Sequence, residues 1–312
     1  MRSGPAAAAC AALLLLALGP TSARAQRTHL LVVTGLGGAP EYSAAFLSQG
    51  AALMDVAARQ WNVGDSSRIW LAEDAAHAGV TARATREAVA ESFLRLSRQV
   101  RPGDVLVVAL IGHGSGEGAQ SRVNLPGVDP TAAEYAGWLA GFARQTVVFV
   151  VGASGSGDFA VHLKGPGRVI VTATRTPFER NESRFSAAFV RGLASGDADA
   201  DKDGRLTVLE SYAFAVREVA RRYQEERAML TEHALVSDST LAARTVYAAP
   251  AASADPRVAQ LIAELRELEA RLDRLKARKG GTPVAEYDRE LEALLVAIAE
   301  KSAEVRAAGG RP

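Results

Sequence analysis

Two polar side chains follow apolar runs of the sequence at points where they could act together as a base and a nucleophile. His113 follows the run DVLVVALI and lies in the glycine-rich segment GHGSGEG. Ser154 follows the run TVVFVV and lies among small residues. A histidine between glycines is sterically open and has backbone N–H groups beside it, which suits a general base next to an oxyanion site. We therefore take His113 and Ser154 as candidate catalytic residues.

Other interpretations of these two segments are weaker. A phosphate-binding loop is disfavoured because no Lys-Ser or Lys-Thr pair follows the glycines. An α/β-hydrolase is disfavoured because the segment GASGS at 152–156 ends in serine, whereas the nucleophile elbow requires glycine there. The hydrolase histidine also follows its nucleophile, whereas His113 precedes Ser154. A glycine-rich loop with an incidental histidine remains an alternative.

The acidic segment DADKDGRLTVLE at 199–210 indicates a metal site, because it fits the calcium-loop pattern D-x-D-x-D-G-x5-E. Gly204 stands where this loop turns sharply. A solvated, aspartate-rich turn between two helices is the alternative. We expect one structural Ca²⁺ ion, since the sequence contains no second loop of this kind. The predicted ligands are oxygens of the side chains of Asp199, Asp201, Asp203, Thr207 and Glu210, and the backbone carbonyl of Arg205.

Apolar runs alternate with helical patterns from residue 29 to about residue 225, and this order positions the candidate residues. Strands are predicted at 29–34, 68–71, 104–111, 146–151 and 168–173, and helices at 42–60, 85–100, 131–142, 183–193 and 208–223. Such alternation predicts an α/β fold with a mostly parallel sheet flanked by helices on both faces. Catalytic groups gather at the carboxyl ends of the strands in such sheets, which is where His113 and Ser154 stand.

The first 25 residues are typical of a secretory signal peptide. Arg2 is followed by an apolar run at 11–18, and the motif Ala-Arg-Ala ends at Ala25 before Gln26. We expect cleavage near Ala25 and a periplasmic or secreted mature protein; an uncleaved anchor is the alternative. Cleavage would remove Cys10, the single cysteine, and with it any thiol nucleophile. No later run of 18 apolar residues predicts a transmembrane segment in the mature chain.

Several blocks, taken in order, resemble the legumain/caspase family of cysteine peptidases, and in particular its bacterial periplasmic members. A histidine upstream of the nucleophile is the order found in that family. The resemblance spans about residues 29–235 and implies a caspase-like sheet. The blocks are VVTGLGGAPEY at 32–42, ALIGHGSGEG at 109–118, VNLPG at 123–127, VVGASGSG at 150–157 and TATRTPFERNESRFSAAFVRGL at 172–193.

The resemblance implies a role for each residue that matches a family motif. His113 matches the catalytic histidine, the backbone N–H of Gly114 matches an oxyanion-hole donor, and Ser154 matches the nucleophilic cysteine. Gly152 stands where an acidic residue is common. The family preference for Asn or Asp side chains makes Arg175 a candidate substrate-binding residue. Because a serine hydroxyl is far less acidic than a thiol, the replacement of cysteine disfavours cysteine-peptidase activity.

The C-terminal part of the chain has a different pattern. We interpret residues 246–254 as a linker and residues 255–312 as an antiparallel, coiled-coil-like helical hairpin. Two helices alone leave an apolar edge, so the hairpin should dock on the α/β domain, form a homodimer or bind a partner. Its first helix carries a stripe of apolar residues with 3-4-3-4-3 spacing: Val258, Leu261, Leu265, Leu268, Leu272 and Leu275.

Three functions are consistent with these observations. The favoured one is a periplasmic pseudopeptidase whose domain at 26–245 binds a protein or peptide through a degenerate cleft. The second is an active endopeptidase that cleaves at Asn or Asp, using Ser154 with His113. The third is a structural adaptor that acts through the hairpin. A net charge of +1 gives no electrostatic case for binding nucleic acid.

Overall fold

The computed structural model describes residues 26–248, 255–278 and 283–309. The predicted signal peptide and residues 249–254 of the predicted linker lie outside the described residues. The strands are β1 (Thr28–Thr34), β2 (Arg68–Ala72), β3 (Ala82–Arg83), β4 (Val105–Ile111), β5 (Gly114–Ser115), β6 (Arg122–Val123), β7 (Thr146–Val151), β8 (Arg168–Thr172) and β9 (Leu235–Val236). The helices are α1 (Pro40–Arg59), α2 (Arg86–Gln99), α3 (Ala132–Leu139), α4 (Gly157–Leu163), α5 (Phe185–Ser195), α6 (Val208–Glu225), α7 (Ser239–Arg244), α8 (Pro256–Ala277) and α9 (Val284–Ala307).

Seven strands form one sheet in the order β3-β2-β1-β4-β7-β8-β9. Neighbouring strands run parallel except for β8 and β9, which pair antiparallel. The central strands β1, β4 and β7 consist mostly of Val, Leu, Ile and Phe, as expected for strands that are covered on both faces. The predicted fold class, a mostly parallel sheet flanked by helices with a C-terminal helical hairpin, is confirmed.

The alternating side chains of the strands divide the core into two layers. Leu30 and Val32 pack with α1, α5 and α6 on one face, whereas Leu31 and Val33 pack with α2, α3 and α4 on the other. Helix α1 lies so close to the sheet that a Cβ atom at Gly50 would come within 2.6 Å of the Trp70 ring. This close packing fixes the position of α1, which contributes side chains to the candidate site.

The structure adds short elements that the sequence pattern did not predict, and two of them border the candidate site. Helix α4 begins in the Gly-Ser-Gly segment after Ser154, where small residues hide the helical pattern. It is held by Phe159 and Leu163, which are buried in the core. Strands β5 and β6 pair Gly114 with Val123 in a two-stranded ribbon beyond the end of β4.

The C-terminal helices α8 and α9 pack against each other along two apolar clusters. Val258 and Leu265 of α8 cluster with Val305 of α9, and Leu275 clusters with Tyr287 and Leu294, so the two helices run antiparallel. Ile262 joins the buried seam, whereas Leu261 is only partly buried. None of the helices in the described ranges is both long and apolar enough to cross a membrane.

Candidate active site and metal centre

The sheet order brings His113 and Ser154 to the same edge of the molecule. Strands β4 and β7 are neighbours, with Leu110 paired to Val151, so the segments that follow them leave the sheet side by side. The N–H of Gly114 points at the Oγ of Ser154, at 3.3 Å. A Cβ atom at Gly114 would lie 2.1 Å from the carbonyl oxygen of Ser154, so only glycine allows the two segments this approach. Ser154 is 5% exposed.

A backbone carbonyl orients His113. Its Nε2 lies 3.1 Å from the carbonyl oxygen of Gly37. Since a carbonyl can only accept, Nε2 carries the proton of the neutral ring and Nδ1 is left as the acceptor. The ring packs edge-on between Tyr42 and Phe46 of α1, with centroid distances of 4.9 and 5.2 Å. The carbonyl of Gly37 and the two aromatic rings therefore fix the tautomer and the orientation of the imidazole, and they leave Nδ1 able to accept a proton.

The acidic residues nearest to the site in sequence do not contact His113. Asp158 accepts a hydrogen bond from the N–H of Gly118 at 2.6 Å. Glu117 forms an ion pair with Arg180 at 2.8 Å. This ion pair connects the segment after β4 (residues 112–121) to the segment after β8 (residues 173–184). Among the described residues, the group that orients His113 is the carbonyl of Gly37 and not a carboxylate.

The segment after β8 is also connected to α1, on the other side of His113. The nearby carboxylate of Glu182, as an acceptor and through its charge, raises the pKa of the Tyr42 hydroxyl. Tyr42 in turn contacts the ring of His113. The ion pair between Glu117 and Arg180 therefore connects the segment after β8 to the His113 segment. The contact of Tyr42 with Glu182 connects the same segment to α1.

Packing explains why glycine stands at position 152, where the family resemblance suggests an acidic residue. A Cβ atom there would lie 2.5 Å from the Cβ of Ser186 in α5. The N–H of Gly152 continues the sheet by donating to the carbonyl of Leu110 at 2.8 Å. Because α5 occupies the space that a side chain would need, this position cannot supply a carboxylate to the cleft.

Glu179 is a site residue that sequence reasoning missed. Its backbone carbonyl accepts the N–H of Gly155 at 2.8 Å, next to Ser154. Its carboxylate accepts the backbone N–H groups of Arg175 at 3.3 Å and His233 at 2.8 Å. One residue thus fixes both the Ser154 segment and the segment that carries Arg175. The sequence gives no signal for this role, because Glu179 is one of several charged residues in a loop.

Three of the predicted calcium ligands lie together. Oxygen atoms of Asp199, Asp201 and Asp203 lie within 4.8 Å of one another. One Asp199 oxygen, Oδ2, accepts the N–H of Gly204 at 3.1 Å, whereas Oδ1 is buried without a hydrogen-bond partner in the described structure. Burial, with a further contribution from the Asp201 charge, raises the pKa of Asp203 to about 6. An unpartnered oxygen among crowded carboxylates fits a hard cation such as Ca²⁺.

The remaining predicted ligands hold neighbouring elements. Thr207 and Glu210 form a capping box at the start of α6, in which the Glu210 carboxylate accepts the N–H of Thr207 at 3.0 Å. The other Glu210 oxygen accepts the N–H of Ala200 at 3.0 Å. The guanidinium of Arg205 contacts both carboxylate oxygens of Glu269 in α8, at 3.0 and 2.9 Å. The loop is therefore connected to the hairpin as well as to α6.

Comparisons with known proteins add little to this geometry. A scan against protein-family models gave no match, and a comparison with curated proteins gave none either. The chain is similar to the crystal structure of drICE, a caspase, at a TM-score of 0.43 and 13% identity, over 69% of this chain and 88% of that chain. It is similar to protein GSU0716 from Geobacter sulfurreducens at a TM-score of 0.44 and 12% identity, over 74% and 96% of the two chains. Because both TM-scores lie below 0.5, we base the fold class on the sheet order and the positions of the strand ends.

Proposed function

We propose that this protein binds a polypeptide in the cleft formed by the His113 and Ser154 segments and does not cleave it. The observation that carries the proposal is the state of Ser154. Its hydroxyl is nearly buried, and it accepts the N–H of Gly114, the group that would otherwise stabilise an oxyanion. Among the described residues no hydrogen bond joins Ser154 to His113. A serine nucleophile needs a base in contact, because its hydroxyl is only weakly acidic.

Apart from the nucleophile, the cleft keeps features that polypeptide binding needs. His113 is held in the tautomer of a base by Gly37. The segment after β8 is fixed beside it through Glu179, Arg180 and Glu182. An ordered cleft in which Ser154 is bonded to Gly114 and not to His113 supports binding as its role.

The proposal is tested by placing a thiol at position 154. Peptides with fluorogenic groups after Asn or Asp are offered to the natural chain, to Ser154→Cys and to Ser154→Ala, all in a Cys10→Ser background. We expect turnover only with Ser154→Cys, because a thiol ionises near pH 8.5 and attacks more readily than a hydroxyl. Turnover by the natural chain that Ser154→Ala abolishes would establish a serine peptidase and overturn the proposal.

The hairpin supplies the contrasting hypothesis of a structural adaptor. Once a binding peptide is in hand, its affinity is compared between the full chain, a chain without residues 255–312, and Ser154→Trp in the full chain. Binding in the cleft predicts loss with Ser154→Trp and retention without the hairpin. The opposite result would assign the function to the hairpin.

We also propose that the loop at 199–210 holds a structural Ca²⁺ ion. Asp199, Asp201 and Asp203 would be its first ligands, and the unpartnered Oδ1 of Asp199 supports this assignment. When bound, the ion would supply positive charge that offsets the repulsion between these carboxylates. In the predicted periplasmic location, calcium is plentiful enough for a single weak site.

A further inference from the structure

A cavity beside the cleft has a composition that the proposed function does not use. It has a volume of about 200 Å³ and lies between the end of β8, helices α5 and α6, and the segment at 230–234. Phe185, Val219 and Leu230 make much of its wall apolar. Val216 and Leu230 at its rim are 36% and 37% exposed, so the cavity is open to a ligand.

Most of the polar groups that line the cavity already have partners. The carboxylate of Glu232 is buried and accepts the backbone N–H groups of Arg184 and Phe185, at the start of α5. The ring of His233 lies 3.3 Å from the carboxylate of Glu179. The hydroxyl of Tyr212 donates to the carbonyl of Ala234 at 3.0 Å. These groups shape the cavity and do not call for a ligand.

Arg175 is different. Its side chain is exposed at the cavity, and among the described residues its guanidinium has neither an ion-pair partner nor a hydrogen-bond acceptor. Burial raises the pKa of Tyr212, which lines the cavity, and the positive charge of Arg175 acts in the opposite direction. The charge of Arg175 therefore reaches the inside of the cavity. The cavity therefore combines an apolar interior with one available cation, and this combination complements an apolar group that carries an anion.

The volume limits what can enter. A cavity of about 150 Å³ accommodates benzene, whereas pockets for whole drug-sized molecules span roughly 300–1,000 Å³. The space here thus fits one large side chain. We propose that the cavity binds the C-terminal residue of a polypeptide, with an apolar side chain inside and the terminal carboxylate paired with Arg175. This inference rests on the proposed function, because it specifies which polypeptide the cleft region binds.

The cavity and the cleft share structural residues. Glu179 binds the backbone of Arg175 and of His233, which line the cavity, and its own carbonyl holds Gly155 next to Ser154. In addition, a Cβ atom at Gly157 would lie 2.2 Å from the carbonyl oxygen of Arg175, so the Ser154 segment and the Arg175 segment are packed in direct contact. A chain end seated in the cavity would therefore place the preceding residues next to the cleft.

The experiment uses a fluorescein-labelled hexapeptide that ends in Gly-Gly-Phe and measures its binding to the full chain by fluorescence anisotropy. The same peptide with an amidated C-terminus tests the carboxylate. We expect at least tenfold weaker binding for the amide, and a similar loss for Arg175→Gln with the free acid. Arg217→Gln is the matched control, because Arg217 is an exposed arginine on α6 that neither lines the cavity nor forms an ion pair in the described structure.

Ala220→Trp, at an exposed position on the cavity rim, should block binding without disturbing the fold. Equal affinity for the acid and the amide, or no effect of Arg175→Gln, would overturn the inference. Competition by 3-phenylpropanoate with the same affinity as the peptide would overturn the polypeptide assignment. These outcomes are independent of turnover by Ser154→Cys on peptides that contain Asn or Asp, which tests the cleft itself.

Discussion

The close contact between Gly114 and Ser154 makes Gly114→Ala a demanding test of the site geometry. The added methyl carbon would lie 2.1 Å from the carbonyl oxygen of Ser154 and 3.3 Å from the Cβ of Ala153. Ordinary contacts between carbon and oxygen are no shorter than about 3.3 Å, so one segment must move by about 1 Å. Overpacking of this kind costs about 1–3 kcal/mol of unfolding free energy. For a unit of this size, each kcal/mol lowers Tm by about 2–4 °C, and a cost of about 2 kcal/mol gives a fall of about 4–8 °C.

Gly137→Ala is the matched control for Gly114→Ala. Gly137 lies inside α3, and a Cβ atom there would meet no atom within 4 Å. Alanine should therefore stabilise the protein by about 0.5–1 kcal/mol, because glycine loses more backbone entropy in a helix. Differential scanning calorimetry on the natural chain and the two variants should give Tm shifts of opposite sign. An unchanged or raised Tm for Gly114→Ala would show that the segments of His113 and Ser154 do not pack as described.

Two further predictions concern charged groups away from the cleft. Glu218 is nearly buried among Arg191, Arg221 and Arg222, which lower its pKa to about 2, the hydrogen bond from Arg221 contributing most. Its pKa is thus lower in the folded state than the unfolded value of about 4.3, so its stabilising effect is complete above that pH and is lost as the pH falls towards 2. After allowance for the exposed arginines, Glu218→Gln should cost about 1–2 kcal/mol at pH 7 and about half of that at pH 3 in urea unfolding. An equal cost at both pH values would contradict the assignment. Ca²⁺ at 100 times its dissociation constant should stabilise the chain by about 2.7 kcal/mol relative to EDTA, whereas Asp199→Asn should lose this response; a response that the variant keeps would place the ion elsewhere.

Local patterns predicted the main elements of the fold well. The strand predicted at 146–151 coincides with β7, and the strand predicted at 104–111 differs from β4 by one residue. Both are continuous apolar runs between glycine, proline or polar residues, so their signal does not depend on their neighbours. Helix α4 and the β5–β6 ribbon were not predicted because they are short and lie within or next to glycine-rich segments, and contacts with the rest of the chain stabilise them.

The candidate site was predictable in part. Residue types and their positions after apolar runs were enough to select His113 and Ser154. The same reasoning did not identify Glu179, whose carbonyl and carboxylate bind segments on both sides of it in the chain. The two acidic residues nearest to the site in sequence, Glu117 and Asp158, contact Arg180 and the backbone of Gly118.

By itself the sequence determined the kind of fold, the strand ends at which chemistry could occur, and a serine at position 154, because each follows from residue type and local spacing. The tertiary structure alone decided that the carbonyl of Gly37, 76 residues before His113, orients the imidazole. It also decided that α5 leaves no room for a side chain at Gly152, and that Arg175 lies beside a cavity with no ion-pair partner among the described residues. These features are contacts between distant segments, and they depend on which strands become neighbours in the sheet.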